Sequence, residues 1–106
     1  MEAISNITVV YHDLHSEYCT DLGIDTIDFL APTRGKRHIS DARLVAMVAM
    51  RRKGASLMET ARIFGRVNHT TVLNAERRVR ESINTYGQDS PLSDLLVKAL
   101  KVYAIR

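Results

Sequence analysis

Residues 56–75, SLMETARIFGRVNHTTVLNA, decide the fold. Ser56 and Glu59 have the spacing of a capping box, in which each side chain accepts a hydrogen bond from the other residue's free backbone N–H at a helix start. Gly65 interrupts the pattern, because glycine readily adopts the left-handed conformation that ends helices. Asn68 has the short polar side chain typical of a helix N-cap. The stretch therefore predicts two helices joined by a tight turn, a helix-turn-helix over residues 56–83.

The second of these helices has one apolar and one polar face. At about 100° per residue from His69, an arc of about 240° to 320° contains the apolar positions, which are Val72, Ala75, Val79 and Ile83. The opposite arc, about 20° to 140°, contains Thr70, Leu73, Asn74, Arg77 and Arg80. The helix is therefore predicted to pack on a core with one side and to present polar and basic groups on the other.

Periodicity before this motif predicts further helices. An apolar stripe indicates an amphipathic helix within residues 1–23, which Ser5 or Asn6 caps and Gly23 ends. The stripe consists of Ile7, Val10, Tyr11, Leu14 and Tyr18. Residues 24–30 follow as an apolar segment of one or two helical turns.

The centre and the end of the chain complete the predicted architecture. Pro32 and Gly35 indicate a basic loop over residues 31–38. Ser40 is then expected to cap a central helix, residues 41–53, which is apolar nearly all round and therefore buried. Ser90 and Pro91 predict the start of a final helix over residues 90–105. The whole chain, residues 1–106, is predicted to be one all-α domain of five or six helices.

Charge is distributed unevenly along the chain. Residues 1–33 contain six acidic residues and no Lys or Arg, whereas residues 34–80 contain twelve Lys or Arg against three acidic residues. Residues 81–106 balance, so the net charge is only +3. A contiguous segment with a nine-charge excess is typical of a protein that binds a polyanion. A basic face exposed to solvent without a ligand remains the alternative at this point.

Several classes of protein do not fit this sequence. No apolar run is long enough to cross a bilayer, and the uncharged or acidic start does not resemble a secretory signal. The single cysteine, Cys19, excludes an internal disulfide and suits a reducing cytoplasm. No phosphate-binding glycine loop and no nucleophile with its base stand out, so neither a nucleotide, a cofactor nor an enzymatic activity is expected.

The first predicted helix contains three possible metal ligands. His12, His15 and Cys19 fall at i, i+3 and i+7, so they would share one face of the first helix. Three ligands without a clear fourth are more typical of a solvated polar face than of a structural metal site. No metal is therefore expected.

The motif residues resemble those of a known family. Asn68-His69-Thr70-Thr71-Val72-Leu73-Asn74-Ala75 is similar to the signature Asp-His-Thr-Thr-Val-x-x-Ala of the C-terminal DNA-binding domain of DnaA, the bacterial replication initiator. Upstream, Ser56-Leu57-x-x-x-Ala61-x-x-Phe64-Gly65 resembles the family's Ser-Leu-x-x-Ile-Gly-x-x-Phe-Gly. The resemblance runs without a gap from Ile24 to Ala75. It implies a Trp-repressor-like helical domain that binds double-stranded DNA.

The resemblance also implies residue roles. His69, Thr70 and Thr71 at the start of the recognition helix are expected to touch base edges in the major groove, with the threonine methyls and hydroxyls available to thymine methyls and phosphates. Arg34 is expected to enter the adjacent minor groove. Backbone contacts are expected from Lys36, Arg37, Arg43, Arg66, Asn74 and Arg77. The simpler alternative makes these exposed polar residues of an ordinary helix and loop.

Asn68 departs from the family, whose signature has an acidic residue there. An amide both donates and accepts and can pair with adenine, whereas a carboxylate only accepts and favours cytosine. A preference differing from the family's TTATCCACA-like box is therefore expected at one position, unless Asn68 only caps the helix. Val67 and Ala42 also replace basic residues of the family.

Together with these features, the resemblance implies sequence-specific binding to DnaA-box-like sites. The chain would be a regulator or accessory factor of replication initiation or transcription, without ATPase activity. Its expected location is the nucleoid in the cytoplasm, or a host cytoplasm if a virus encodes it. The alternative is a protein-interaction module that uses the acidic first helix, and salt-dependent duplex binding separates the two.

Overall fold

The computed structural model describes residues 2–31, 35–65 and 69–103, with side chains described from Tyr11 onward. Within these ranges the secondary structure is helical and no strand occurs. The helices are α1 (Glu2–Leu22), α2 (Thr26–Leu30), α3 (Arg37–Arg52), α4 (Leu57–Ile63), α5 (Thr70–Tyr86) and α6 (Pro91–Val102), with a 3-10 turn at Gly87–Asp89. The prediction of an all-α domain with a helix-turn-helix is confirmed.

Helix α3 lies at the centre of the molecule. It packs against α2, α4, α5 and α6, and its residues Val45 to Met50 are all buried. Alanines alternate with larger side chains along it, which lets neighbouring helices approach closely while valines and methionines fill the space between them. The predicted buried central helix is therefore confirmed.

The start of α3 differs from its prediction. The helix begins at Arg37, because the backbone N–H groups of Ile39 and Ser40 already donate to the Lys36 carbonyl at 3.1 and 2.9 Å. The predicted N-cap role of Ser40 is wrong, and the predicted loop over residues 31–38 is too long. Gly35 has φ +70° and is not helical. Lys36 and Arg37, which follow it, have high helix propensity, so the helix can begin directly after this glycine.

The predicted end of α1 agrees with the structure, but its predicted start does not. At its C-terminus Gly23 has φ +69°, and the N–H groups of Gly23 and Ile24 donate to the Thr20 and Cys19 carbonyls, which is a Schellman motif. The predicted end of the helix at Gly23 is therefore confirmed. At its N-terminus the helix already begins at Glu2. Neither Ser5 nor Asn6 caps it, since both lie inside the helix.

One side of α1 forms an aromatic cluster with three other parts of the fold. His15 is only 2% exposed, and its Nδ1 lies 2.6 Å from the Tyr103 hydroxyl at the end of α6. Its ring also contacts Phe29 of α2 and Phe64 after α4. Burial, helped by the charge of nearby His12, lowers the pKa of His15 to about 4, so the ring is neutral at pH 7.

The predicted solvated face of His12, His15 and Cys19 is wrong. His15 and Cys19 are buried while His12 is exposed, so the three do not share an exposed surface. The physical reason is that the buried stripe of α1 is wider than its apolar residues indicate. In the described part of the chain, no three His, Cys, Asp or Glu side chains are grouped to hold a metal ion.

The C-terminal helix begins as predicted. Ser90 caps α6 through its Oγ, which accepts from the Leu92 N–H at 3.2 Å, and Pro91 occupies the first turn. The helix is described from Pro91 to Val102, and residues 104–106, which include the end of the predicted span, lie outside the described ranges. Among the helices described, none is both long and apolar enough to cross a membrane.

Candidate nucleic-acid interface

Helix α4 is fixed by the capping box that the sequence predicted. The Ser56 Oγ accepts from the Glu59 N–H at 3.0 Å, and the Glu59 Oε1 accepts from the Ser56 N–H at 2.9 Å. Ala61 and Phe64 are buried, and Gly65 ends the helix with φ +67°. Since α4 packs on α5, this short helix is the first helix of the helix-turn-helix.

The two faces of α5 are confirmed. Val72, Ala75 and Val79 are at most 1% exposed, and Ile83 packs against the same core. The outward face is exposed along its length, at Thr70, Leu73, Asn74, Arg77 and Arg80. The helix therefore holds its polar face rigidly away from the core.

The start of α5 presents the residues expected to touch bases. The helix begins at Thr70, and the N–H groups of Val72 and Leu73 donate to the His69 carbonyl at 3.0 and 3.2 Å. The His69 side chain makes no cap hydrogen bond. His69, Thr70 and Thr71 are all exposed, so their polar groups lie at the surface where a helix N-terminus can approach a groove.

The other predicted contact residues fall into three groups. Those exposed at the surface are Lys36, Arg37, Asn74 and Arg77. Arg34, Arg66 and Asn68 lie outside the described residues, so their roles stay predictions. The remaining one, Arg43, is buried.

Arg43 belongs to the interior and not to the surface. It is 6% exposed, and its guanidinium donates to the carbonyls of Phe29 at 2.8 Å and Asp28 at 3.1 Å. The last carbonyls of a helix lack intrahelical partners, and Arg43 satisfies those of α2 while α2 packs against α3. The prediction of Arg43 as a phosphate contact is wrong for this reason.

Helix α3 crosses the buried face of α5. On one flank of α5, the Arg51 Nε lies 3.5 Å from the Glu76 Oε1. On the other flank, Arg78 lines a cleft together with Gly35, Arg37, Ser40 and Asp41 at the N-terminal end of α3. The end of the basic loop therefore lies directly beside the recognition helix.

Comparison with known proteins identifies the family of this chain. A family model described as the bacterial dnaA protein helix-turn-helix matches residues 13–79, more than half of the chain. This chain belongs to that family. It is 49% identical over 55 residues to the chromosomal replication initiator protein DnaA of Aquifex aeolicus (strain VF5), a match that covers 51% of this chain and 14% of that protein. No solved structure matches the chain significantly.

As a member of the DnaA helix-turn-helix family, the chain has a DNA-binding fold, and exposed arginines lie on α3 and α5. Two of these cations make i, i+4 ion pairs at the surface, Arg37–Asp41 and Arg77–Glu81, both at 3.8 Å, with Asp41 half-buried. Exposed pairs at such distances are weak. Arg37 and Arg77 are therefore held only loosely by their carboxylate partners.

Sequence reasoning missed Arg78. On the helical wheel it falls at about 180°, just outside the outward arc. Its position beside the N-terminal end of α3 depends on the packing of α3 on α5 and is not visible in the sequence. Thr71, Asn74 and Arg78 nevertheless have the spacing i, i+3 and i+7, which places them in one stripe. That stripe was the signal that could have found it.

Proposed function

We propose that this chain binds duplex DNA sequence-specifically at DnaA-box-like sites, with α5 in the major groove. The observation that supports this most strongly is the exposed start of α5, where His69, Thr70 and Thr71 stand on a helix held by a buried opposite face. Such groups at a helix N-terminus suit base-edge contacts. Residues 32–36, just before the α3 terminus that flanks α5, would supply the minor-groove arm through Arg34.

The chain spans about 14% of the length of the initiator that it matches. We propose that it acts without nucleotide or ATPase activity, as a regulator or accessory factor that marks or occludes initiator-type sites. Its place of action would be the nucleoid, in a bacterial cytoplasm or in the host cytoplasm of a virus.

A salt titration on two duplexes tests this proposal. One labelled duplex contains a TTATCCACA-like box and the other a scrambled version of equal composition. We expect tighter binding to the box, with a log–log salt slope of about −4 to −8 if roughly that many phosphates are neutralised. Equal affinity for both duplexes, or binding that salt does not weaken, would contradict it.

The base preference at one position is a separate part of the proposal. Asn68 stands where the family has an acidic residue, so we expect Asn68→Asp to shift preference toward the family box by about 1–2 kcal/mol. Both side chains cap helices about equally well. Identical rank orders of the two proteins on single-base variants would show that Asn68 does not contact a base.

A protein-interaction module is the second candidate. The observation that favours it is the exposed acidic surface of α1 and α2, formed by Asp13, Glu17, Asp21, Asp25 and Asp28. A module of this kind would bind a basic protein and would show no preference among duplexes. The salt titration on the two duplexes therefore separates it from the first candidate.

A further inference from the structure

The cleft between the start of α3 and the middle of α5 combines cations from two separate elements. It has a volume of about 370 Å³ and is lined by Gly35, Arg37, Ser40, Asp41 and Arg78. Arg37 and Arg78 are both exposed, and Asp41 is the carboxylate in the lining. The cleft thus offers two guanidinium groups to one anion, and guanidinium suits phosphate oxygens particularly well.

The two arginines differ in what balances their charge. Arg37 faces Asp41 at 3.8 Å, with side chains 92% and 23% exposed, so the pair is weak and exchanges readily for another anion. Arg78 has no carboxylate oxygen within ion-pairing distance anywhere in the described ranges. Among the described residues, Arg78 therefore makes no ion pair and Arg37 is only loosely held.

The position of the cleft indicates the source of the anion. The stripe Thr71, Asn74 and Arg78 leads to it from the start of the recognition helix, and Gly35 connects it to the basic loop. On a duplex, the sugar-phosphate backbone separates a major groove from the adjacent minor groove. A group between a major-groove helix and a minor-groove arm therefore faces that backbone.

We propose that Arg37 and Arg78 together hold one backbone phosphate of duplex DNA in this cleft, and that Asp41 restrains Arg37 until the phosphate displaces it. This inference rests on the proposed duplex binding. The contact adds affinity and fixes the orientation of α5 but carries no base preference. Asp41 lowers affinity for every duplex, because its attraction to Arg37 is lost when the phosphate binds.

Salt slopes test whether one phosphate is shared. Arg37→Ala and Arg78→Ala should each weaken binding to box and scrambled duplexes by the same factor. The double variant should lose about 0.9 from the log–log slope, the value for one neutralised phosphate, whereas two independent contacts would lose about 1.8. Lys98→Ala, which removes the same charge from an exposed position on α6, should leave the slope unchanged.

Asp41→Asn tests the restraint. In the wild-type background it should tighten binding by about twofold to fivefold, the range of a weak exposed pair. In the Arg37→Ala background it should have no effect, because the partner is gone. Equal tightening in both backgrounds would show that Asp41 acts only through general repulsion of DNA and would overturn its role as a restraint.

The outcomes separate this inference from the proposed function. Wild type that binds no duplex contradicts both. If the wild type prefers the box, the proposed function stands. The shared phosphate is nevertheless overturned if the salt slope of the double variant is unchanged or is shallower by about 1.8. Thermal unfolding and active-fraction titration of each variant ensure that slopes are compared between folded proteins.

Discussion

Thr70 is the residue at which fold and function separate most clearly. It is the first residue of α5 and its side chain is exposed, on the face opposite Val72 and Val79. Removing its hydroxyl and methyl should therefore affect contacts with DNA and leave the core unchanged.

We expect Thr70→Ala to unfold at nearly the wild-type temperature and to lose about 1 kcal/mol of discrimination between the preferred site and a single-base variant. Thr85→Ala is the matched control, since Thr85 is exposed near the other end of α5. Differential scanning fluorimetry and competition binding measure the two effects. A large loss of stability in Thr70→Ala would mean that the faces of α5 are assigned wrongly.

His15 should make the fold sensitive to acid. Its pKa is about 4 in the folded chain because of burial, against 6.5 for an exposed histidine. The unfolded chain therefore binds a proton at higher pH, so stability is full above pH 6.5 and falls as the pH drops toward 4. The loss over this window is on the order of 3 kcal/mol.

Chemical denaturation between pH 7 and 4 measures this loss. His15→Leu should be less stable at pH 7 because the bond to Tyr103 is gone, but its stability should vary less between pH 6.5 and 4. His12→Gln, at an exposed position of the same helix, should keep most of the wild-type pH dependence. A wild-type curve that stays flat from pH 6.5 to 5 would contradict the burial argument.

At the residue scale, sequence reasoning succeeded where a residue's chemistry matched its location. The capping box of Ser56 and Glu59 and the apolar arc of α5 are local patterns, and both are confirmed. His15 and Arg43 were misplaced because polar and charged side chains are usually exposed. The Tyr103 hydroxyl is 88 residues from His15, and the Phe29 and Asp28 carbonyls are 14 and 15 residues from Arg43, so no local pattern revealed them.

At the element scale, the junction between α2 and α3 depends on Arg43. Replacing it with methionine keeps an unbranched apolar stem but leaves the Phe29 and Asp28 carbonyls without these donors. We expect Arg43→Met to lower the free energy of unfolding by about 2 kcal/mol. Denaturant titration checks this, with Arg52→Met, at an exposed position of the same helix, as the control.

The same variant distinguishes the structural role from a DNA contact. Per folded molecule, Arg43→Met should bind duplex DNA with an unchanged salt slope. A slope shallower by about 0.9, with stability unchanged, would show that Arg43 neutralises a phosphate after all.

The boundaries of elements were the least predictable part of the fold. The sequence near Gly35 looks like a loop throughout, because glycine and clustered basic residues precede any apolar periodicity. The α3 helix nevertheless begins at Arg37. This shift matters, since it places Arg37 in a rigid helix beside Arg78 and not in a loop.

At the scale of the whole molecule, the dimensions of the domain match the length of one short DNA site. The shorter dimensions of the domain are 28 and 26 Å and the longest is 43 Å. At about 3.4 Å per base pair, this corresponds to roughly eight to thirteen base pairs. We therefore expect one copy to protect a footprint of that length in hydroxyl-radical cleavage, and a protected region twice as long would indicate that two copies bind together.

Selection of bound sequences from a pool of random duplexes tests sequence-specific binding through α5 most directly. The pool needs no assumption about the target, and the folded wild-type chain is used as it stands. We predict enrichment of one motif of about nine base pairs that resembles the TTATCCACA-like box and differs from it at the position facing Asn68, with each mismatch costing about 1–3 kcal/mol. A selected pool with no common motif, bound as tightly as the starting pool, would contradict the claim.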